Sequence, residues 1–115
     1  MNDNNHFETR AIHIGNEPEK ETGSVSPPIH LTSTYQQEAV GKDKGFDYSR
    51  AGNPTRKRLE ENLASLEKGK FGVAFSSGMA AITALFQTLY KGDHVIISRN
   101  VYGGTYRMAV NVLSN

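Results

Sequence analysis

At 115 residues and a net charge of +1, the chain has room for one small domain and offers no electrostatic reason to expect nucleic acid or an anionic membrane as partner. It contains no cysteine, which excludes disulfides, thiolate metal sites and thiol chemistry together. MNDNNHFETR has no apolar stretch of the signal-peptide kind, and no apolar run approaches the roughly 20 residues of a membrane helix, so the sequence reads as a soluble, cytoplasmic chain.

Residues 1–54 are polar, hold all four prolines (18, 27, 28 and 54) and show no sustained period of 3.6 or 2. Yet Ile12, Ile14, Val25, Ile29, Leu31, Tyr35, Phe46 and Tyr48 are more apolar material than a linker needs. This composition predicts an arm that lies against another surface.

The pattern changes at Asn53. Asn53 is a helix cap, and Pro54 fits the first helical position, where its missing N–H costs nothing. Leu59, Leu63 and Leu66 then mark one helical face, with Gly69 placed as the stop. FGVAF (71–75) reads as a buried strand. Ser76-Ser77-Gly78 breaks it and opens a second helix with Ile82, Leu85, Phe86 and Leu89 on one face and Gly92 as its end. HVIIS (94–98) reads as the next strand. Tyr102-Gly103-Gly104 is a turn, and a third helix begins near Thr105. Strands alternating with helices predict an α/β protein with a parallel sheet and crossover connections. Two strands are too few for such a sheet, so the chain reads as the front of a larger α/β domain, 55–115, preceded by the arm 1–54.

Three short stretches could carry chemistry. In FGVAFSSGMAAI, the N–H groups of Ser77, Gly78 and Met79 lie at the positive end of a helix, where an anion such as phosphate can bind. A plain serine-capped turn explains the same residues, and pattern alone favours it. There is no Walker loop and no G-x-G-x-x-G. In YSRAGNPTR, an extended backbone would put Tyr48 and Arg50 on one side, roughly 6.5 Å apart, and aim a hydroxyl and a guanidinium at one target. A half-buried tyrosine beside a surface arginine is the simpler account of that spacing. In VYGGTYR, Tyr102 follows a strand end and offers a ring for stacking, or else is a core tyrosine before a flexible turn. The histidines at 6, 13, 30 and 94 show no metal-ligand spacing. Arg56, Glu60 and Glu67 look like a solvated helix face.

Taken together and in this order, TRAIHIG (9–15), PPIHLTSTY (27–35), YSRAGNPTR (48–56), SSGMAAI (76–82) and VYGGTYR (101–107) resemble the Cys/Met-metabolism family of pyridoxal-phosphate enzymes. That family includes the cystathionine γ-synthases and the cystathionine γ- and β-lyases. The resemblance implies an aspartate-aminotransferase-like (fold type I) architecture, here only its N-terminal portion: an arm plus the first strands and helices of the large cofactor domain. It implies pyridoxal 5′-phosphate as cofactor. Tyr48 and Arg50 would reach the phosphate of a neighbouring subunit, Ser77, Gly78 and Met79 would hold it from within the same subunit, and Tyr102 would stack on the pyridine and take part in proton transfer. It also implies a homo-oligomer built as a dimer of dimers, acting on a small amino-acid substrate, with no nucleic acid or membrane partner.

Methionine γ-lyases of the family have cysteine where this chain has Gly104, so the resemblance points to a cystathionine enzyme acting at the γ-carbon. A homoserine-ester sulfhydrylase is the alternative, as is a non-catalytic fragment that pairs with a full-length subunit. The family's Schiff-base lysine sits in a Ser-x-Thr-Lys type segment that does not occur here. None of the seven lysines (20, 42, 44, 57, 68, 70 and 91) matches it. The chain alone is therefore expected to be inactive.

Overall fold

The computed structural model describes residues 5–114. Its helices are α1 (Phe7–His13), α2 (Pro54–Leu66), α3 (Gly78–Phe86) and α4 (Gly103–Arg107), the last continuing into a π-type stretch, Met108–Val112, closed by a bond from the Leu113 N–H to the Met108 carbonyl (3.0 Å). The chain divides into two compact units, with the break between Ala74 and Phe75. The change of sequence pattern at Asn53 marks the start of α2, which falls within the first unit.

In the first unit, α2 begins as its sequence dictates. The Asn53 side chain accepts from the N–H groups of Thr55 (2.8 Å) and Arg56 (3.4 Å), and Pro54 occupies the first helical position. Its end is different from the expected one. Lys68, not Gly69, adopts the left-handed conformation (φ 56°). The Lys68 N–H bonds to Ser65 O and the Gly69 N–H to Ala64 O, the paired bonds of a Schellman motif.

The arm is tied to α2 at several points. α1, too short to show a period in the sequence, packs against α2. Farther along, the His30 N–H donates to Thr55 Oγ1 (2.9 Å), and the His30 carbonyl accepts from Asn53 Nδ2 (3.2 Å). Residues 33–35 and 47–49 run antiparallel, with Tyr35 N–H to Asp47 O (3.1 Å), Ser49 N–H to Ser33 O (2.9 Å) and a single bridge, Thr34 to Tyr48. Much of the arm thus lies against its own chain.

Neither 71–75 nor 94–98 forms the expected strand. Among the described residues the only β pairing is two isolated bridges, Thr34–Tyr48 and Ala39–Lys42. A ladder needs a neighbouring strand, and among the described residues neither run has one. Residues 71–74 still keep a period of two. Gly72 and Ala74 face α2, while Phe71 and Val73 are 78% and 70% exposed. Gly72 is required there, because a Cβ would lie 2.4 Å from the Glu60 carbonyl oxygen.

In the second unit, α3 stops at Phe86, so Leu89 lies beyond it in a run of tight turns that ends at Gly92 (φ 101°). α3 packs on α4, and the Thr83 hydroxyl donates to the Met79 carbonyl (2.7 Å) while lying 3.2 Å from Met108 Sδ. Among the described residues no apolar side chain is buried; the buried side chains are those of Arg10 and Thr105. No helix among them is long and apolar enough to cross a membrane.

Candidate functional site

The expected site residues fall into two groups, one in each compact unit. In the second unit, Ser77 is the N-cap of α3: its backbone is extended (φ −158°, ψ 158°) and its hydroxyl oxygen accepts from the Ala80 N–H at 3.1 Å. That hydroxyl is therefore partly spent on the cap. The next two N–H groups, of Gly78 and Met79, have no acceptor within the helix, and none elsewhere among the described residues. A Cβ placed on Gly78 would meet nothing within 4 Å, so the space above these donors is open. Two free amides at the positive end of a nine-residue helix are of the kind that can receive an anion.

Tyr102 stands beside this turn. It precedes α4, the residue is 68% exposed, and its carbonyl accepts from the Tyr106 N–H (3.1 Å). Gly104 links it to Met79: a Cβ on Gly104 would lie 2.6 Å from Tyr102 Cε1 and 2.8 Å from Met79 Sδ. The missing side chain at 104 thus lets the aromatic ring and the start of α3 share one corner. An open aromatic face next to two free amides suits a flat ligand that carries an anionic group.

In the first unit, the structure brings Tyr48 and Arg50 together by a different route from the extended one expected. Residues 48–52 form a tight turn in which the Tyr48 carbonyl accepts from the N–H groups of both Ala51 (3.0 Å) and Gly52 (2.9 Å). The turn folds Arg50 back so that its guanidinium carbon lies 4.9 Å from the centre of the Tyr48 ring, a cation–π stack. No hydrogen bond or ion pair engages the Arg50 side chain among the described residues, so all its donors are available.

Sequence reasoning missed what holds this turn. Arg56 and Glu60, read as a solvated helix face, are engaged on both sides. Arg56 donates to the carbonyls of Ser49 (Nη1, 3.0 Å), Arg50 (Nη2, 3.3 Å) and Ala51 (Nη2, 3.1 Å). Its Nε lies 3.5 Å from Glu60 Oε1, which also accepts from the Ala74 N–H at 2.9 Å. The signal available in the sequence was an arginine three residues into a helix whose cap closes a turn. Among the described residues no group of histidines and carboxylates could hold a metal ion.

The family model described as "Cys/Met metabolism PLP-dependent enzyme" matches residues 8–115. The chain is 50% identical over 106 residues to the cystathionine gamma-lyase of Bacillus subtilis, covering 92% of this chain and 28% of the relative. It is 47% identical over 111 residues to the cystathionine beta-lyase of Coxiella burnetii, covering 96% of this chain and 29% of that one. Among solved structures, metB from Corynebacterium glutamicum superposes with a TM-score of 0.91 at 44% identity, over 96% of this chain and 29% of its own. The chain therefore spans less than a third of the length of these proteins.

Proposed function

Because the chain belongs to the Cys/Met metabolism family of PLP-dependent enzymes, with the fold of the corresponding part of the fold type I cystathionine lyases and synthases, we propose that it supplies the phosphate-anchoring groups of a transsulfuration enzyme acting at the γ-carbon of a sulfur amino acid or homoserine ester. The observation that carries this reading is the pair of unpartnered amides at Gly78 and Met79 beside the exposed ring of Tyr102. These residues fit pyridoxal phosphate: the amides suit its phosphate, and the tyrosine face suits its pyridine ring. When bound, the cofactor supplies an electron sink for carbanion chemistry at the amino acid. In this proposal Gly78 and Met79 hold the phosphate from one subunit, Ser77 orients the start of α3, Tyr102 stacks on the ring and stands ready to move a proton at its hydroxyl, and Tyr48 and Arg50 of a neighbouring copy complete the phosphate shell.

Gly104 supports a cystathionine enzyme over a methionine γ-lyase. A cysteine in its place would press on both Tyr102 and Met79, given the 2.6 and 2.8 Å approaches of a Cβ. None of the seven lysines lies on the family's cofactor-linking motif, so the chain by itself is inactive in this reading.

Titration of the chain with pyridoxal phosphate and with pyridoxal tests the site. Tighter binding of the phosphorylated compound is expected, and equal affinity overturns the phosphate assignment. The shared-site part is tested by mixing. Gly78→Pro removes one amide donor at a helical position that tolerates proline, and the extended backbone of Ser77 already suits a following proline. A mixture of Gly78→Pro and Arg50→Ala chains regains phosphate-dependent binding if the two groups meet across copies. A mixture no better than either variant alone refutes the cross-subunit arrangement.

A further inference from the structure

Arg50 and Arg56 are six residues apart, yet they have opposite surroundings. Arg56 is saturated: three carbonyls and a carboxylate surround its guanidinium. Among the described residues Arg50 has no carboxylate partner, and the Tyr48 ring lies beneath it. The first cation is committed to the structure and the second is left for a ligand.

The turn itself explains why Arg56 is needed. Both backbone N–H groups that close it, those of Ala51 and Gly52, point to the one carbonyl of Tyr48. The carbonyls of Ser49, Arg50 and Ala51 take no part in closing the turn, and one planar guanidinium donates to all three. Glu60, one helical turn on, balances the charge of Arg56 and fastens it to residues 71–74 through the Ala74 N–H. The turn that carries Arg50 is thereby fixed to the frame of α2 on one side and to the following segment on the other.

We infer that Arg56, seated by Glu60, is a positioning residue for anion recognition: it holds the 48–52 turn in the shape that stacks Arg50 on Tyr48 and aims its free donors at an incoming phosphate. The inference rests on the assignment of Arg50 to the cofactor phosphate proposed above. It concerns preorganisation, since a guanidinium already held in place loses less freedom on binding than one that must be gathered from solvent.

The test is an equilibrium titration of the full chain and its variants with pyridoxal phosphate and, separately, with pyridoxal. Arg56→Gln is expected to weaken pyridoxal phosphate by about tenfold, the scale of one charge-assisted hydrogen bond, and to leave pyridoxal unchanged. Arg56→Lys keeps a charge for Glu60 but cannot span three carbonyls, so it stays impaired. The Arg50→Ala/Arg56→Gln double variant binds no more weakly than Arg50→Ala alone, because Arg56 acts through Arg50. A second readout is tryptic cleavage after Arg50, which speeds up in Arg56→Gln relative to cleavage after Lys42.

Loss of affinity for both ligands alike, or additive losses in the double variant, would show a merely structural role and overturn the inference. Unchanged pyridoxal phosphate binding in Arg56→Gln, with Arg50→Ala weakened, overturns it while sparing the phosphate site. Unchanged binding in Arg50→Ala overturns the phosphate assignment itself. In that event the cleavage rate after Arg50 decides whether Arg56 holds the turn.

Discussion

Arg10 and Asn62 each close the C-terminal end of the other's helix. Asn62, on α2, donates through Nδ2 to the carbonyls of Arg10 (3.2 Å), Ala11 (3.1 Å) and Ile14 (2.8 Å) at the end of α1. Arg10, on α1, donates through Nη1 to the Ser65 carbonyl in the last turn of α2. Each thus brings a side-chain donor to carbonyls in the last turn of the other helix, and the cation of Arg10 meets the negative end of the α2 dipole. No buried apolar side chain is present among the described residues, so this reciprocal polar clasp is what docks α1.

Replacing Asn62 removes the side chain that, among the described residues, reaches all three carbonyls at the end of α1. Asn62→Ala is expected to speed amide exchange in α1 by about 10- to 100-fold, corresponding to the loss of one or two partly buried hydrogen bonds. Amides in α3 serve as the internal reference. Equal exchange of α1 in both proteins would mean that Asn62 does not hold it.

The end of α2 carries a correctable strain. Lys68 sits at φ 56°, where a side chain costs roughly 1–2 kcal/mol relative to glycine. Lys68→Gly removes that cost but adds the entropy of a freer unfolded chain, about 0.5–1 kcal/mol. The net expectation is a gain of up to about 1 kcal/mol, seen as slower exchange of the Lys68-position and Gly69 amides that bond to Ser65 and Ala64. Faster exchange would show that the lysine stem contributes packing that outweighs its strain.

What could be read from the sequence divides along the range of the interactions. The start of α2 and the cap of α3 were legible because their stabilisers, Asn53 with Pro54 and Ser77, lie within three residues of the amides they serve. α1 was not, since seven residues carry no period and its clasp comes from Asn62, some 50 residues away. The strands at 71–75 and 94–98 were read from composition, which reports a taste for burial but not the presence of a partner. Ser77, Gly78, Met79 and Tyr102 stand out by their place between elements, but a serine-capped turn and a core tyrosine explain that place as well, and only the family resemblance turns them into cofactor groups; the stack of Arg50 on Tyr48 arises from a turn where an extended segment was expected. Arg56 was hidden because a helix charge four residues before a glutamate looks like an ordinary surface pair.

Glu19 provides a pH-dependent test of the loop 19–24. Its carboxylate accepts from the N–H groups of Glu21 (2.8 Å) and Thr22 (2.7 Å) and from the Thr22 hydroxyl (2.9 Å), and the bond from Glu21, followed by those from Thr22, pulls its pKa below the ordinary 4.5. A carboxyl whose folded pKa is depressed adds stability above its unfolded pKa and loses it as pH falls through the lower, folded value. The loop is therefore expected to hold its shape at pH 4.5 and above and to loosen below it. The Thr22 amide shift, followed by NMR from pH 7 down to 2, should move in one step whose midpoint lies under 4.5. Glu19→Gln should abolish the step, and a midpoint at or above 4.5 would contradict the hydrogen-bonded carboxylate.

Gly104 separates ring recognition from phosphate recognition. A Cβ there would press on Tyr102 Cε1 and Met79 Sδ at 2.6 and 2.8 Å, distances that real Cβ contacts do not tolerate. The backbone of α4 is not at fault, since Gly104 is not among the positive-φ glycines and alanine is at home in a helix. Gly104→Ala must therefore act by displacing the Tyr102 ring or the Met79 side chain. If Tyr102 stacks on the cofactor ring, Gly104→Ala weakens pyridoxal and pyridoxal phosphate by the same factor, about 2- to 10-fold for the loss of one aromatic contact of about 0.5–1.5 kcal/mol. Arg50→Ala, in contrast, weakens only the phosphorylated compound. Should Gly104→Ala spare pyridoxal, the Tyr102 ring takes no part in holding it.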